Sequence, residues 1–340
     1  MDNIPTLGRK KVDAHMHLGT DKYWKPASHW NVYAANAAAQ NIVHSVAAPV
    51  PCPVNLMGFQ TVCPSVWEFK EGEFEDGNHT PYYKKFITLG NHTTSFDSNQ
   101  NPYSITNERL LKFSQGEPFS VTPLHHPKLD DPNYVCSLLS KKEVVGLKVH
   151  TIASYTSDPE MIHPEVIEKL KNTRKPLVVH TDYLQREAAN PLEWITKQAN
   201  PIKWIKFALE HDLRMYLPHG ARANEDAIRL ANDVQNYRTG LSQIMIGLSP
   251  SLLLTSKGER EKLVNSDYLR TVIKNANHKI LASDTDYSWN VPDRNSTELE
   301  WEEFERVEAV MDEVGYTEEE KKSVFYSNAK EFFGLPIPAI

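Results

Sequence analysis

Short runs rich in Val, Ile, Leu and Met recur along this chain, and stretches of helical period lie between them. Lys11–His15, Ile42–Ala47, Phe119–Leu124, Val144–His150, Pro176–His180, Leu213–His219, Ser242–Leu248 and Lys279–Asp284 read as strands. Trp30–Gln40, Asn133–Lys142, Glu165–Asn172, Pro201–His211, Asn224–Asn236 and Tyr268–Asn277 read as helices, and Glu298–Phe333 as a helical tail charged on one side. Eight strands alternating with helices predict an α/β chain folded as a (β/α)8 TIM barrel, one domain over residues 1–340. The span of about 49–118 breaks the alternation. It is long and rich in Pro, Asn and aromatics, including Trp67, Phe69, Phe74, Tyr82, Tyr83 and Phe86. It reads as an inserted lid segment after strand 2 that covers the barrel mouth.

In such a barrel the site lies where the strands end. His15 and His17 close the first apolar run, and positions i and i+2 of a strand point the same way. Two imidazoles side by side suit chelation of a divalent metal. His150, His180, His219 and Asp284 close four later runs, so the expected ligand types gather at one rim. Lys148 shares a face with His150 and points into the mouth, which is costly unless it is paired or modified. Three readings of Lys148 stay open: a carbamate bridging two metals, an unmodified cation for an acidic substrate, or an ion pair. Asp13 has two open readings, a partner that orients a neighbouring imidazole or a carboxylate paired elsewhere.

Composition narrows the function. The 340 residues are 40% hydrophobic and 24% charged, with a formal net charge of −7 and a sequence pI of about 6.1. No basic stripe is present, which argues against a nucleic-acid partner. No apolar run reaches membrane-span length, and Met1 to Lys11 lack a signal-peptide core. A soluble, cytoplasmic protein is expected. Cys52, Cys63 and Cys136 are too few, and odd in number, for a disulfide scaffold and read as reduced thiols. Gly247-Leu248-Ser249-Pro250-Ser251 lacks the last glycine of a serine-hydrolase elbow, and no phosphate-binding glycine loop appears.

The order His-x-His, Gly-x-Lys-x-His, strand-ending His, His-Gly and Ser-Asp resembles the amidohydrolase superfamily. The closing Tyr326–Leu335 is similar to the C-terminal helix signature of its amidohydrolase-related branch, which holds hydrolases and decarboxylases. The resemblance covers residues of about 9–19 and 118–336. It implies a barrel enzyme with one divalent ion on His15, His17, His180 and Asp284 and with His219 polarising the substrate or positioning a water. In the binuclear branches Lys148 would be the carbamylated bridge, and His180 with His219 would hold the second ion. Zinc is the expected metal, with manganese or iron as the alternatives. Asp284 would take a proton from water and pass it to the leaving group. Two segments depart from the branch pattern: Ser283-Asp284-Thr285-Asp286-Tyr287 and Pro218-His219-Gly220-Ala221-Arg222.

The reaction expected is hydrolysis of an amide, lactone or related bond in a small carboxylated molecule. The alternatives are decarboxylation on the same site and a non-catalytic binding barrel. Arg222 is a candidate clamp for a substrate carboxylate, with His150, Tyr183, Asp286 and Trp24 as further substrate-binding residues. His125 and His126, at the end of strand 3, are candidates to face the cavity. Self-association into a homo-oligomer is also expected.

Overall fold

The structure is a computed structural model. It describes residues 8–20, 27–28, 30–49, 88–89, 92–93, 101, 103–127, 130–151, 154, 158–182, 199–237, 242–249, 252–254, 260–262, 266–286 and 298–338. Eight parallel strands carry the fold: β1 (Lys11–Thr20), β2 (Ile42–Pro49), β3 (Phe119–Val121), β4 (Leu147–His150), β5 (Leu177–His180), β6 (Met215–Leu217), β7 (Ile244–Gly247) and β8 (Leu281–Ala282). Helices alternate with them: α1 (Trp30–Ala39), α2 (Ser104–Phe113), α3 (Pro132–Leu139), α4 (Pro164–Thr173), α5 (Pro201–Glu210), α6 (Glu225–Tyr237), α7 (Ser266–Asn275) and α8 (Glu298–Val314).

The strands pair in sequence order as two sheets, β1-β2-β3 and β4 through β8. Two seams join the sheets into a ring. At β3–β4, parallel bridges link Val121 to Val144 and Leu124 to Lys148. At β8–β1, Ala14 N donates to Ser283 O at 3.0 Å and Asp286 N donates to His15 O at 2.9 Å. The fold is therefore a closed (β/α)8 barrel.

Side-chain alternation builds two apolar layers. Val178, Tyr216, Met245 and Ala282 pack in the interior cluster, while their neighbours Leu177, Val179, Met215, Leu217, Ile244, Ile246 and Leu281 pack against the helices. On β1, Val12 and Ala14 belong to the interior cluster but Met16 and Leu18 belong to the outer one. A register irregularity between Asp13 and Met16 explains the switch. Such a bulge re-aims the side chains that follow it, and it turns His15 and His17 inward at the mouth.

Three helices begin with the same device. Asp131, His163 and Asn200 accept from the backbone N–H two residues on, and Pro132, Pro164 and Pro201 occupy the first turn. The tail departs from the single helix expected. It breaks at Gly315-Tyr316-Thr317, where Gly315 has φ +90° and Thr317 with Glu320 forms a capping box for α9 (Glu318–Lys322). After a π turn at Ser323–Ser327, α10 (Asn328–Phe333) sends Ala329, Phe332 and Phe333 into the interior cluster beside Val12 and Val178.

The span expected as an insertion ends in α2, which is the barrel's own helix between β2 and β3. Thr88–Leu89 and His92–Thr93 form two-residue strands, while residues 50–87, 90–91, 94–100 and 102 of that span lie outside the described residues, Cys52 and Cys63 among them. Cys136 is a free thiol. No helix of the described residues is long and apolar enough to cross a membrane.

Candidate metal centre at the barrel mouth

His15, His17, Lys148, His219, Asp284 and Asp286 are all buried at the C-terminal ends of the strands. Asp286 is the hub. Its Oδ1 lies 3.6 Å from His15 Nε2 and 3.4 Å from His17 Nε2, and its Oδ2 lies 3.5 Å from His219 Nδ1. His15, His17 and Asp286 each offer a ligand atom within 4.8 Å of the others. Asp286 has φ +48°, in the left-handed region that non-glycine residues seldom occupy. Together with its N–H bond to His15 O, this curls the chain back over β1.

The imidazoles are set for ligation. Pro49 O lies 3.1 Å from His17 Nδ1, so that nitrogen donates and the Nε2 lone pair is left for a metal. Burial pushes His15, His150, His180 and His219 well below the ordinary histidine range, and the nearby Lys148 pushes each of them the same way. Neutral imidazole is the ligating form. His150 and His180 stack ring on ring at 4.1 Å, and His180 meets His219 edge-on at 5.0 Å. His180 Nε2 is buried with no hydrogen-bond partner.

Lys148 Nζ lies 3.1 Å from His15 Nε2. Burial lowers its ammonium to about 7, while Asp286 and Asp284 pull the other way. Asp284 stands apart from the compact trio. Its Oδ2 accepts from Tyr216 OH at 2.6 Å, and its Oδ1 is buried without a partner. Burial raises its carboxyl well above the usual carboxylate range, against the Tyr216 hydrogen bond.

Asp13 faces the β8–β1 seam. It accepts from Tyr33 OH at 2.8 Å, Thr285 Oγ1 at 2.6 Å, Thr285 N at 3.0 Å and His15 N at 3.3 Å. Burial lifts its carboxyl to about 6, opposed by these donors. It thus ties the start of the His-x-His pair to the loop that carries Asp284 and Asp286.

His219 opens a left-handed turn. His219, Gly220, Ala221, Arg222 and Ala223 have φ between +47° and +59°. Backbone of this kind costs roughly 1–2 kcal/mol per non-glycine residue and persists only where surroundings impose it. Tyr268 OH bonds His219 O, and Ser249 Oγ lies 3.1 Å from His219 Nδ1. The turn carries Arg222 back over β5, where Nε reaches Thr181 O and Nη2 reaches Asp182 Oδ2, both at 3.4 Å. Arg222 Nη1 is buried and unpartnered.

Among the sequence candidates, His15, His17, Lys148, His150, His180, His219, Arg222, Asp284 and Asp286 thus meet at one mouth. Trp24 and Tyr183 lie outside the described residues. His125 instead pairs through Nδ1 with Asp130 Oδ2 at 2.9 Å, and His126 stacks on Tyr103. Sequence reasoning missed Tyr216, the one polar side chain among the inward positions of β5 through β8 in the interior cluster. Its signal was a tyrosine at an inward position of strand 6.

The donor set fits a divalent cation. Two donors on one tetrahedral ion at about 2.0–2.1 Å stand about 3.3 Å apart, close to the Asp286–His17 and Asp286–His15 spacings. Asp286 Oδ1 accepts no hydrogen bond that would otherwise account for them.

No family model matches the sequence, and no curated protein sequence matches it. Solved structures do match. An amidohydrolase II has a TM-score of 0.56 at 15% identity, over 96% of this chain and 100% of that one. A Pseudomonas putida protein assigned as a 2-pyrone-4,6-dicarboxylic acid hydrolase has a TM-score of 0.56 at 10% identity, over 97% and 100%. A Novosphingobium aromaticivorans 5-carboxyvanillate decarboxylase, complexed with manganese and 4-hydroxy-3-methoxy-5-nitrobenzoic acid, has a TM-score of 0.54 at 13% identity, over 97% and 97%. At such identities the likeness establishes the fold alone: the chain shares the (β/α)8 barrel of these structures.

Proposed function

We propose that this chain is a metal-dependent hydrolase cleaving an amide, lactone or related C–N or C–O bond in a small carboxylated molecule. The observation that carries the reading is the buried trio of His15, His17 and Asp286, with neutral imidazoles around it. The His-x-His pair and a carboxylate that follows β8 would hold one divalent ion there, with His180, His219 and Lys148 lining the same mouth. The donors suit zinc, manganese or iron, and manganese is the ion in the decarboxylase complex. When bound, the ion supplies Lewis acidity and lowers the pKa of water from about 16 towards 7. A carbamylated Lys148 would add a second ion.

The residues of the chain divide the remaining work. Asp284 Oδ1 is a buried, unengaged carboxylate oxygen on a group whose proton affinity is raised, which suits it to take a proton and return it to a leaving group. His219, fixed by Ser249, faces charge developing on the attacked carbonyl. Arg222 offers Nη1 to a substrate carboxylate. Such a molecule would be a cytoplasmic enzyme of small metabolites, self-associating as related barrels do.

The raised Asp284 carboxyl also favours a second reading. A protonated Asp284 at the mouth would deliver its proton to the substrate carbon as the bond from that carbon to the departing CO2 breaks. A carboxylated lactone and a hydroxybenzoate carboxylic acid, each offered to zinc- and manganese-loaded protein, separate the two: ring-opened acid marks hydrolysis, released CO2 marks decarboxylation. Full turnover after exhaustive chelation would remove the metal from either reading.

A further inference from the structure

We infer that Arg214, at the N-terminal end of the barrel, holds a small oxyanion, a phosphate or a carboxylate, in the side-on fork formed by its Nε and Nη2. The site lies at the opposite end of the strands from the mouth and does not rest on the metal reading.

Arg214 stands two positions before Tyr216 and shares its inward face on the approach to β6. The guanidinium accordingly packs on the C-terminal plug. Its Cζ lies 4.3 Å from the ring centroid of Phe332, a member of the interior cluster. That stack fixes the plane of the group. Nη1 is engaged as well, donating to Arg174 O at 3.4 Å. Nε and Nη2 are buried and have no hydrogen-bond partner. The N–H bonds of these two neighbouring nitrogens run side by side along one edge, and they match two oxygens of one carboxylate or phosphate. The residue as a whole is only half-buried, which leaves a route from solvent.

Charge argues the same way. Burial lowers the guanidinium to about 10, and Arg174, a charge of the same sign at the C-cap of α4, pushes it further down. Lys175, the next residue, spends its ammonium on Leu139 O at 2.6 Å and Lys141 O at 2.9 Å. Cations thus gather at this end of β5 and β6 although the chain carries a net −7. Among the described residues no carboxylate pairs with Arg214. A shielded charge is costly until a counter-ion meets it through hydrogen bonds. Here the unmet groups are two adjacent donors, so the counter-ion must offer two oxygens. A halide offers one centre and cannot meet both donors in line.

The test reads anion affinity in the intact full-length protein. Sodium phosphate and, separately, sodium acetate are titrated by calorimetry at an ionic strength held constant with sodium chloride. Wild type should bind at least one of them, and the tighter of the two tells phosphate from carboxylate as the natural class. Arg214→Met and Arg214→Lys should each weaken that binding by more than about 10-fold, since Lys keeps the charge but loses the fork. The same binding should persist in Arg222→Met, which lacks the guanidinium at the mouth. Failure of both anions to bind wild type overturns the assignment. So does binding that is lost in Arg222→Met and kept in the Arg214 variants, or wild-type affinity in a folded Arg214→Lys protein. Should Arg214→Met melt early, Arg214→Lys carries the comparison, and wild type gives a second reading. An anion bound to the folded state alone must raise its melting temperature above that in chloride of equal ionic strength. Equal melting temperatures in all three salts overturn the assignment.

Discussion

Tyr216 donates from its hydroxyl to Asp284 Oδ2 at 2.6 Å, and the ring beneath that hydroxyl rests 5.3 Å from Phe333 of the C-terminal helix. One side chain thus spans the barrel from its closing plug to its mouth. Gly247 leaves the room for it: a Cβ there would fall inside the contact distances of Asp284 Oδ2 and Tyr216 OH and 2.8 Å from Asp284 Cγ. Gly247→Ala should force the pair apart. Turnover should fall by 100-fold or more and the melting temperature should drop. Tyr216→Phe keeps the packing and removes one hydrogen bond to a carboxyl, about 1.5–3 kcal/mol, so kcat should fall about 10–100-fold with a smaller change in melting. A Gly247→Ala protein with wild-type kcat would contradict the crowding argument.

Arg222 is positioned by a left-handed turn, and its two contacts at 3.4 Å, to Thr181 and Asp182 just after β5, leave Nη1 free. A guanidinium so placed should read a carboxylate by a charge-assisted bond of about 1.5–3 kcal/mol. Arg222→Met should raise KM for a carboxylated substrate about 10–100-fold and leave KM for its neutral amide analogue near the wild-type value. Arg222→Lys keeps the charge but not the fork and should recover little. Equal losses on both substrates would show that Arg222 serves the turn and not the substrate.

The barrel was legible because buried parallel strands read as continuous apolar runs, and Val178, Met245 and Leu281 each sit in one. The strand-ending His180 and His219 followed from the same runs. The bulge after Asp13 was not legible: one irregular residue changes which face β1 presents without changing its composition. Nor was the curl of the chain at Asp286, since a left-handed φ at an aspartate is a tertiary choice and not a local preference. Helix α2 was hidden inside a span dominated by Pro and aromatics, and the tail's break depends on one glycine and one capping box.

Asp13 gathers four donors from three segments: β1 itself, α1 through Tyr33, and the loop after β8 through Thr285. Asp13→Ala would leave those donors buried and unmet, at a cost of more than about 3 kcal/mol. Because Thr285 lies between Asp284 and Asp286, the same variant should also weaken Mn2+ binding at 25 °C, well below its melting point. Asp13→Asn keeps one acceptor and should fall between. Denaturant titration reads the first effect and calorimetry the second. Unchanged Mn2+ affinity in a folded Asp13→Ala protein would cut the link between the seam and the metal centre.

His44 lies on β2 away from the mouth, with Nε2 2.9 Å from Ser120 Oγ on β3. Burial lowers its pKa to about 4 from an ordinary value near 6.5. The folded protein therefore keeps the ring neutral between pH 4 and 6.5, while the unfolded chain takes up a proton there. The unfolded state binds more protons in that window, so stability rises with pH across it and is fully present above about 6.5. A single such group contributes at most about 1.4 kcal/mol per pH unit and about 3 kcal/mol in all. His44→Gln keeps a hydrogen-bonding group beside Ser120 and removes the titration. Urea unfolding from pH 4.5 to 7 should then show a slope shallower by close to one proton than that of wild type. Parallel slopes for the two proteins would mean that His44 is charged in the fold, and that the β2–β3 seam tolerates a buried cation.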